Sequence, residues 1–210
     1  MFRQSRLLLG AALFFAVAAC DKSTGLPTEI SQIDANELAL AMDAVGTLGQ
    51  TDVGISPSFS MSVGDGASAS ASVPVDINNT FTVTKQCPLG GQVTVAGTIV
   101  GTGDDATHSL TLDADATRTD ASCAFPTRHG ALTLSGNPNL VYEGHLNIVN
   151  GALVGMQTQS HLGSFTWSRA GGSGTCEVDL VSSYNPATGI VSVSGLFCGW
   201  LVNVTRSRVS

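Results

Sequence analysis

Hydrophobic and polar positions change their spacing several times along the chain. Leu7 to Ala19 is an unbroken apolar run behind Arg3 and Arg6. A membrane-spanning helix needs about 20 apolar residues, so this shorter run suits the core of a signal peptide. Asp21 to Thr28 is polar and broken by Gly25 and Pro27, which predicts a tether. Leu38, Met42 and Val45 then share one helical face. Asp34 stands as an N-cap with Glu37 completing a capping box, Ile33 can staple onto Leu38, and Gly46 is a natural stop. The predicted helix covers about residues 35–46, and its single apolar stripe packs on the main domain.

From Ser58 the period falls to two. Phe59, Met61 and Val63 alternate with serines, and Phe81 and Val83 with threonines. The pattern repeats at Val93/Val95, Leu110/Leu112, Leu132/Leu134 and Leu146/Ile148. It continues at Phe165/Trp167, Val178/Leu180 and Val191/Val193, and ends with Trp200, Val202 and Val204. Serine and threonine at the intervening positions suit strands with one wet face. Turn signals separate the runs: Gly90-Gly91, Gly101 to Asp105, Asn137 to Asn139, Asn150-Gly151, Ala170 to Gly174 and Asn185 to Gly189. Gly64 to Ser72 reads as a loop or an exposed edge. The expected fold is all-β, an antiparallel meander of about ten strands forming a barrel or strongly curved sheet, with one short N-terminal helix. A β-sandwich is the alternative. The expected organisation is a signal peptide at 1–19, a lipidated tether at 20–28, and a single domain at 29–210.

The apolar run ends in Val17-Ala18-Ala19-Cys20, which resembles the lipobox of bacterial lipoproteins. The resemblance implies cleavage before Cys20, a diacylglycerol on its thiol, acylation of the new amino group, and a membrane partner held through lipid. It covers only the first 20 residues or so and implies nothing about the fold. An ordinary secretory signal, cut after Ala16-Val17-Ala18, is the alternative reading. Asp21 resembles the inner-membrane retention signal of enterobacterial lipoproteins, a rule that differs between bacterial groups. The expected location is therefore the bacterial cell envelope, with inner and outer membrane both open.

Cysteine number agrees with this. Assigning Cys20 to lipid leaves Cys87, Cys123, Cys176 and Cys198, an even set suited to two disulfides in an oxidising compartment. Their wide spacing lacks the close pairs that zinc sites use. If Tyr184 and Ile190 oppose each other across the Asn185 to Gly189 turn, Val178 meets Leu196 and Cys176 meets Cys198. Cys87 with Cys123 does not fit a simple hairpin that keeps Ile99 and Leu110 on one face. That pair needs a bulge or a bridge between strands that are not neighbours.

Losing Arg3 and Arg6 with the signal takes the formal charge from −7 to −9. Such a surface argues against nucleic acid and against electrostatic docking on anionic lipid. The sequence carries little recognisable chemistry. His108, His129, His145 and His161 have no metal-ligand spacing and read as surface or hydrogen-bonded structural residues. Asp113 to Asp120 has alternate oxygen ligands, with Asp104 and Asp105 as helpers, but Arg118 and Ala124 occupy key calcium-loop positions. Asp113 and Asp115 read more simply as the wet side of a strand. No G-x-S-x-G elbow occurs, Ser173 reads as hairpin loop, and Glu143 with an aspartate would make a glycosidase pair only at a separation that sequence does not supply. Tyr142, Phe165, Trp167, Phe197 and Trp200 could line an apolar cavity but suit a core. No catalytic residue, metal or cofactor is assigned. The expected role is a non-enzymatic binding or structural module with an envelope partner. A barrel carrying a small apolar ligand, or a hydrolase on envelope material, are the alternatives.

Overall fold

The computed structural model describes residues 29–46, 74–104, 107–136 and 140–207. Cys20, the tether, the Phe59 to Val63 run and the Asn137 to Asn139 turn lie outside these residues. Helix α1 (Gln32–Gly46) is followed by β1 (Pro74–Gln86), β2 (Gln92–Asp104), β3 (Ser109–Ala121), β4 (Cys123–Thr127) and β5 (Gly130–Gly136). Then come β6 (Leu140–Val149), β7 (Ala152–Leu153), β8 (Gln157–Arg169), β9 (Gly172–Asn185), β10 (Ile190–Phe197) and β11 (Trp200–Ser207).

All eleven strands belong to one antiparallel sheet, in the order β1-β2-β3-β6-β8-β9-β10-β11. β5 and β6 both pair with β8, and β4 pairs with β5, so β3–β4 and β5–β6 are two long strands, each interrupted once. The interruptions shift register. Arg118 faces Leu140, whereas Cys123 faces Leu134, with Ser122 between them at a φ of 53°. With these joined, the topology is a meander, as the alternating pattern predicts, of eight long strands where about ten short ones were expected. Among the described residues β1 and β11 do not pair, so the sheet is strongly curved and open rather than a closed barrel.

The curvature wraps the sheet around α1. The helix touches β1 and β2 near one edge, β10 and β11 at the other, and β4. Leu38 and Met42 are buried as the stripe predicts, and Ala35 and Ala39 join them. Against them lie Phe125, Leu132, Leu134, Phe165 and Phe197, all completely buried.

The helix start differs from expectation. It begins three residues earlier, because Ser31 is the cap: its Oγ accepts the Asp34 N–H at 3.2 Å, and the Asp34 carboxylate accepts the Ser31 N–H at 3.4 Å. Asp34 is thus the acid of the capping box, not its cap. Ile33 is 42 % exposed and staples nothing. A second difference concerns β2, which runs on through Gly101 to Asp104 instead of turning there. These glycines pair with Leu112 and Leu110, and a turn follows only after Asp104.

The β9–β10 register is one residue away from the expected one. Asn185, not Tyr184, opposes Ile190, and Val178 opposes Phe197 rather than Leu196. Asn185 closes the loop by accepting the Gly189 N–H at 2.8 Å and, through its side chain, the Ala187 N–H at 3.0 Å. The shift puts Val191, Val193 and Phe197 in the core and Leu196 outside.

The Cys176–Cys198 disulfide forms despite this, because Cys198 lies beyond the strand in the two-residue turn to β11. Cys198 and Gly199 both have positive φ, 53° and 80°, the geometry of a tight hairpin turn that follows strand twist. Cys87–Cys123 also forms. It joins the β1–β2 turn, not a strand, to the start of β4 just past Ser122, and the turn bonds directly to β4 through Leu89, Gly90 and Ala124. Two such bridges suit an oxidising, non-cytoplasmic compartment.

Candidate functional site

Chemistry-bearing side chains gather in three places, two around the ends of α1 and one on the outer face. At the N-terminal end, Asp34 is fully buried 135 residues from Arg169, whose Nη1 and Nη2 both donate to its Oδ2 at 3.0 Å. His129 Nδ1 lies 3.0 Å from the other carboxylate oxygen. Burial alone would raise the Asp34 carboxyl. The hydrogen bonds from His129, Arg169 and Ser31 outweigh it and hold the group below the usual carboxylate range. Arg169 also donates to the Glu29 carbonyl at 2.9 Å, and its guanidinium lies 5.5 Å from the centre of the Trp167 ring. Trp200 Nε1 donates to the Ile30 carbonyl at 2.8 Å, and Gln32 to the Leu201 carbonyl at 2.8 Å. The first described residues are therefore clamped onto β8 and β11. Beside them is an open groove of about 620 Å³, lined by Glu29, Trp167, Ser173, Thr175 and Trp200.

At the C-terminal end a polar cluster is enclosed by the sheet. Arg118, completely buried, binds Asp120 through Nε at 3.2 Å and Nη2 at 2.9 Å. Its Nη1 donates to the Met42 carbonyl at 2.8 Å, a cation at the negative end of the helix. The last helical residue must be small here, because a Cβ on Gly46 would run into this guanidinium. His161 is buried next to the cluster, its ring edge-on to Tyr142 at 5.3 Å, and neither ring nitrogen has a hydrogen-bond partner. Burial, and then the charge on Arg118, push its pKa down to about 3, so the ring is neutral at physiological pH. Asp43 pairs with Arg206 at 3.0 Å beside a cavity of about 120 Å³, which Gln157, Gln159 and Ser182 also line. A space of that size holds a few waters.

The third place is the outer face. Asp113, Asp115, Glu143 and His145 surround a shallow depression of about 330 Å³. His145 Nδ1 lies 2.6 Å from Asp113 Oδ1. Its Nε2 accepts from Asn147 at 3.1 Å, and Asn147 in turn accepts from Thr111 at 3.0 Å. The ring thus presents Nδ1 to the carboxylate and Nε2 to the amide. An Asp–His pair of this kind could orient a general base, yet no described hydroxyl or thiol is bonded to Nε2. Asp113 and His145 are 62 % and 40 % exposed, so water screens the pair.

The structure places the histidines apart. His145 lies on the outer face and His161 inside. His161 is neither a surface nor a hydrogen-bonded histidine, contrary to expectation. Asp113 and Asp115 are indeed the wet side of β3, Leu112 and Ala114 the buried side. Glu143 faces Asp115 across β6 and β3. Among the described residues no group of three or more histidine, cysteine, aspartate or glutamate side chains is arranged to hold a metal. Tyr142, Phe165, Trp167 and Phe197 are core residues, whereas Trp200 is 41 % exposed.

The buried charges of β3 escaped notice in the sequence, although a signal existed. Arg118 and Asp120 are in phase with Leu110, Leu112, Ala114 and Ala116, so alternation already aims both inward. Gln157, Gln159 and His161 are likewise in phase with Phe165 and Trp167. The chain matches no family model, and no curated protein or solved structure matches it.

Proposed function

We propose that this chain is a lipid-anchored protein of the bacterial cell envelope. Its folded part acts as a non-enzymatic binding or structural interaction module. The observation that carries the second half is the filled concave side of the sheet. A carrier of this architecture keeps its ligand there. In this chain that space holds α1 and the fully buried Phe125, Phe165 and Phe197. Recognition then falls to the outer surface and the turns. The anchor rests on the lipobox at Cys20 and agrees with two disulfides in the remainder.

One expression experiment tests both halves. The mature protein is expected in the membrane fraction with an acylated N-terminal Cys20 by mass spectrometry, and Cys20→Ala should move it to the soluble fraction. A mature terminus elsewhere, or membrane association unchanged in Cys20→Ala, would sink the anchor. For the folded part, titration with an environment-sensitive apolar dye should give no saturable one-to-one binding. Stoichiometric uptake would turn the reading to a carrier.

A further inference from the structure

The end of the sheet at which α1 begins differs in surface character from the other end. It contains the turn after Thr127, the Ala170-Gly171 turn and the Cys198-Gly199 turn, with both disulfides. The β10–β11 hairpin at the sheet edge carries no charge on its outward face near this end. Leu196 opposes Leu201, Ser194 opposes Asn203 and Ser192 opposes Thr205. Edge strands usually carry charges that discourage pairing with other chains, and this one has none near the Cys198-Gly199 turn, its Arg206 lying at the far end of β11. Leu201 is 77 % exposed, Leu196 46 % and Trp200 41 %. The indole N–H of Trp200 is already used by the Ile30 carbonyl, which leaves its ring as apolar surface.

The larger group of carboxylates lies toward the opposite end. Asp76, Asp104, Asp113, Asp115 and Glu143 all fall on the half of the sheet nearer the β2–β3 turn, and the cations toward that end, Arg206 and Arg118, are paired with Asp43 and Asp120. At the Trp200 end, Glu29, Glu37, Glu177 and Asp179, which opposes Leu196, are partly offset by Lys85 and Arg128.

We propose that the tip of the β10–β11 hairpin, Trp200 with Leu196 and Leu201, rests on the surface of a lipid bilayer. This deepens the anchor reading and depends on acylation of Cys20. Cys20 precedes Glu29 by nine residues, and nine residues span at most about 30 Å. That is no more than the width of a domain of this size, roughly 30–40 Å. Arg169 and Trp200 clamp Glu29 and Ile30 at this end, so the tether to Cys20 starts beside the hairpin. Tryptophan favours the membrane interface, and the acidic half turns away from the negative surface potential of anionic headgroups.

The test uses the full acylated protein in phosphatidylcholine vesicles with brominated acyl chains. Trp167 and Trp200 are the two tryptophans, and Trp167 is buried. Relative to unbrominated vesicles, emission should fall by about a third, as one interfacial indole of two is quenched. Trp200→Phe should remove the loss. Leu201→Asp, at a fully folded exposed site, should reduce it while the protein stays on the vesicles. Mass spectrometry of the same sample reports acylation. Acylated protein with no quenching overturns the docking alone, whereas unacylated protein overturns anchor and docking together. A dimer on the vesicles that Leu201→Asp abolishes, without quenching, assigns the hairpin to a second copy and also overturns the proposal.

Discussion

His161 is held in the core without a single hydrogen bond, and its cost depends on pH. Its folded pKa of about 3 lies below the ordinary 6.5, so the unfolded chain takes up a proton that the folded one refuses. The stability tied to the neutral ring is complete above pH 6.5 and is lost as pH falls from there toward 3, by about 1.4 kcal/mol per pH unit at most. The urea midpoint should therefore drop below pH 6.5, and His161→Phe should flatten that drop. At pH 7 the variant should be no less stable, because it removes no bond and keeps the contact with Tyr142. Asp34 is also depressed, but its contribution is lost only below the carboxylate's ordinary 3.8, so the drop between pH 6.5 and 3.8 excludes it. Arg118 and Asp120 form a pair of another kind. Arg118→Met strands a buried carboxylate and should cost about 3–5 kcal/mol by chemical denaturation. Arg118→Met with Asp120→Leu should recover most of that, since two apolar side chains leave no buried charge unpaired.

At the scale of elements, α1 owes its start to Ser31 and its position to side chains far away in sequence. Ser31→Ala removes one cap bond and should cost about 1 kcal/mol. Asp34→Asn should cost more, because it also leaves Arg169 buried without its counter-charge. Thermal unfolding of the two variants checks the order. The helical stripe of Leu38 and Met42 was legible from spacing alone. The identity of the cap was not, because Ser31 and Asp34 both suit that role, and only contact with Arg169 and His129 commits Asp34 to the inside. The β9–β10 slip has a similar origin. Hydrophobic alternation already favoured Val191 and Val193 inward, but the loop closed by Asn185 sets the opposing residue.

For the whole molecule, both disulfides and the clamped start of α1 stand at one end of an open sheet. A sheet whose first and last strands do not pair needs other ties, and these are the helix touching both edges and the two bridges. With separations of 36 and 22 residues, each bridge removes about 3–4 kcal/mol of loop entropy from the unfolded chain. Replacing Cys176 and Cys198 together by serine should lower the melting temperature markedly, and replacing all four bridge cysteines should lower it about twice as far. Calorimetry under oxidising conditions reads both.

What the sequence determined by itself is whatever depends on neighbours along the chain. Alternation of side chains marked the strands, spacing marked the helix, and the number of cysteines implied the two bridges. The tertiary structure decided what depends on residues brought together from afar. Arg118, Asp120 and His161 meet the end of α1 only because the sheet curls around it, and the helix fills the concave side of that open sheet. Local spacing is recorded in order along the chain, whereas curvature and burial emerge from packing all the elements at once.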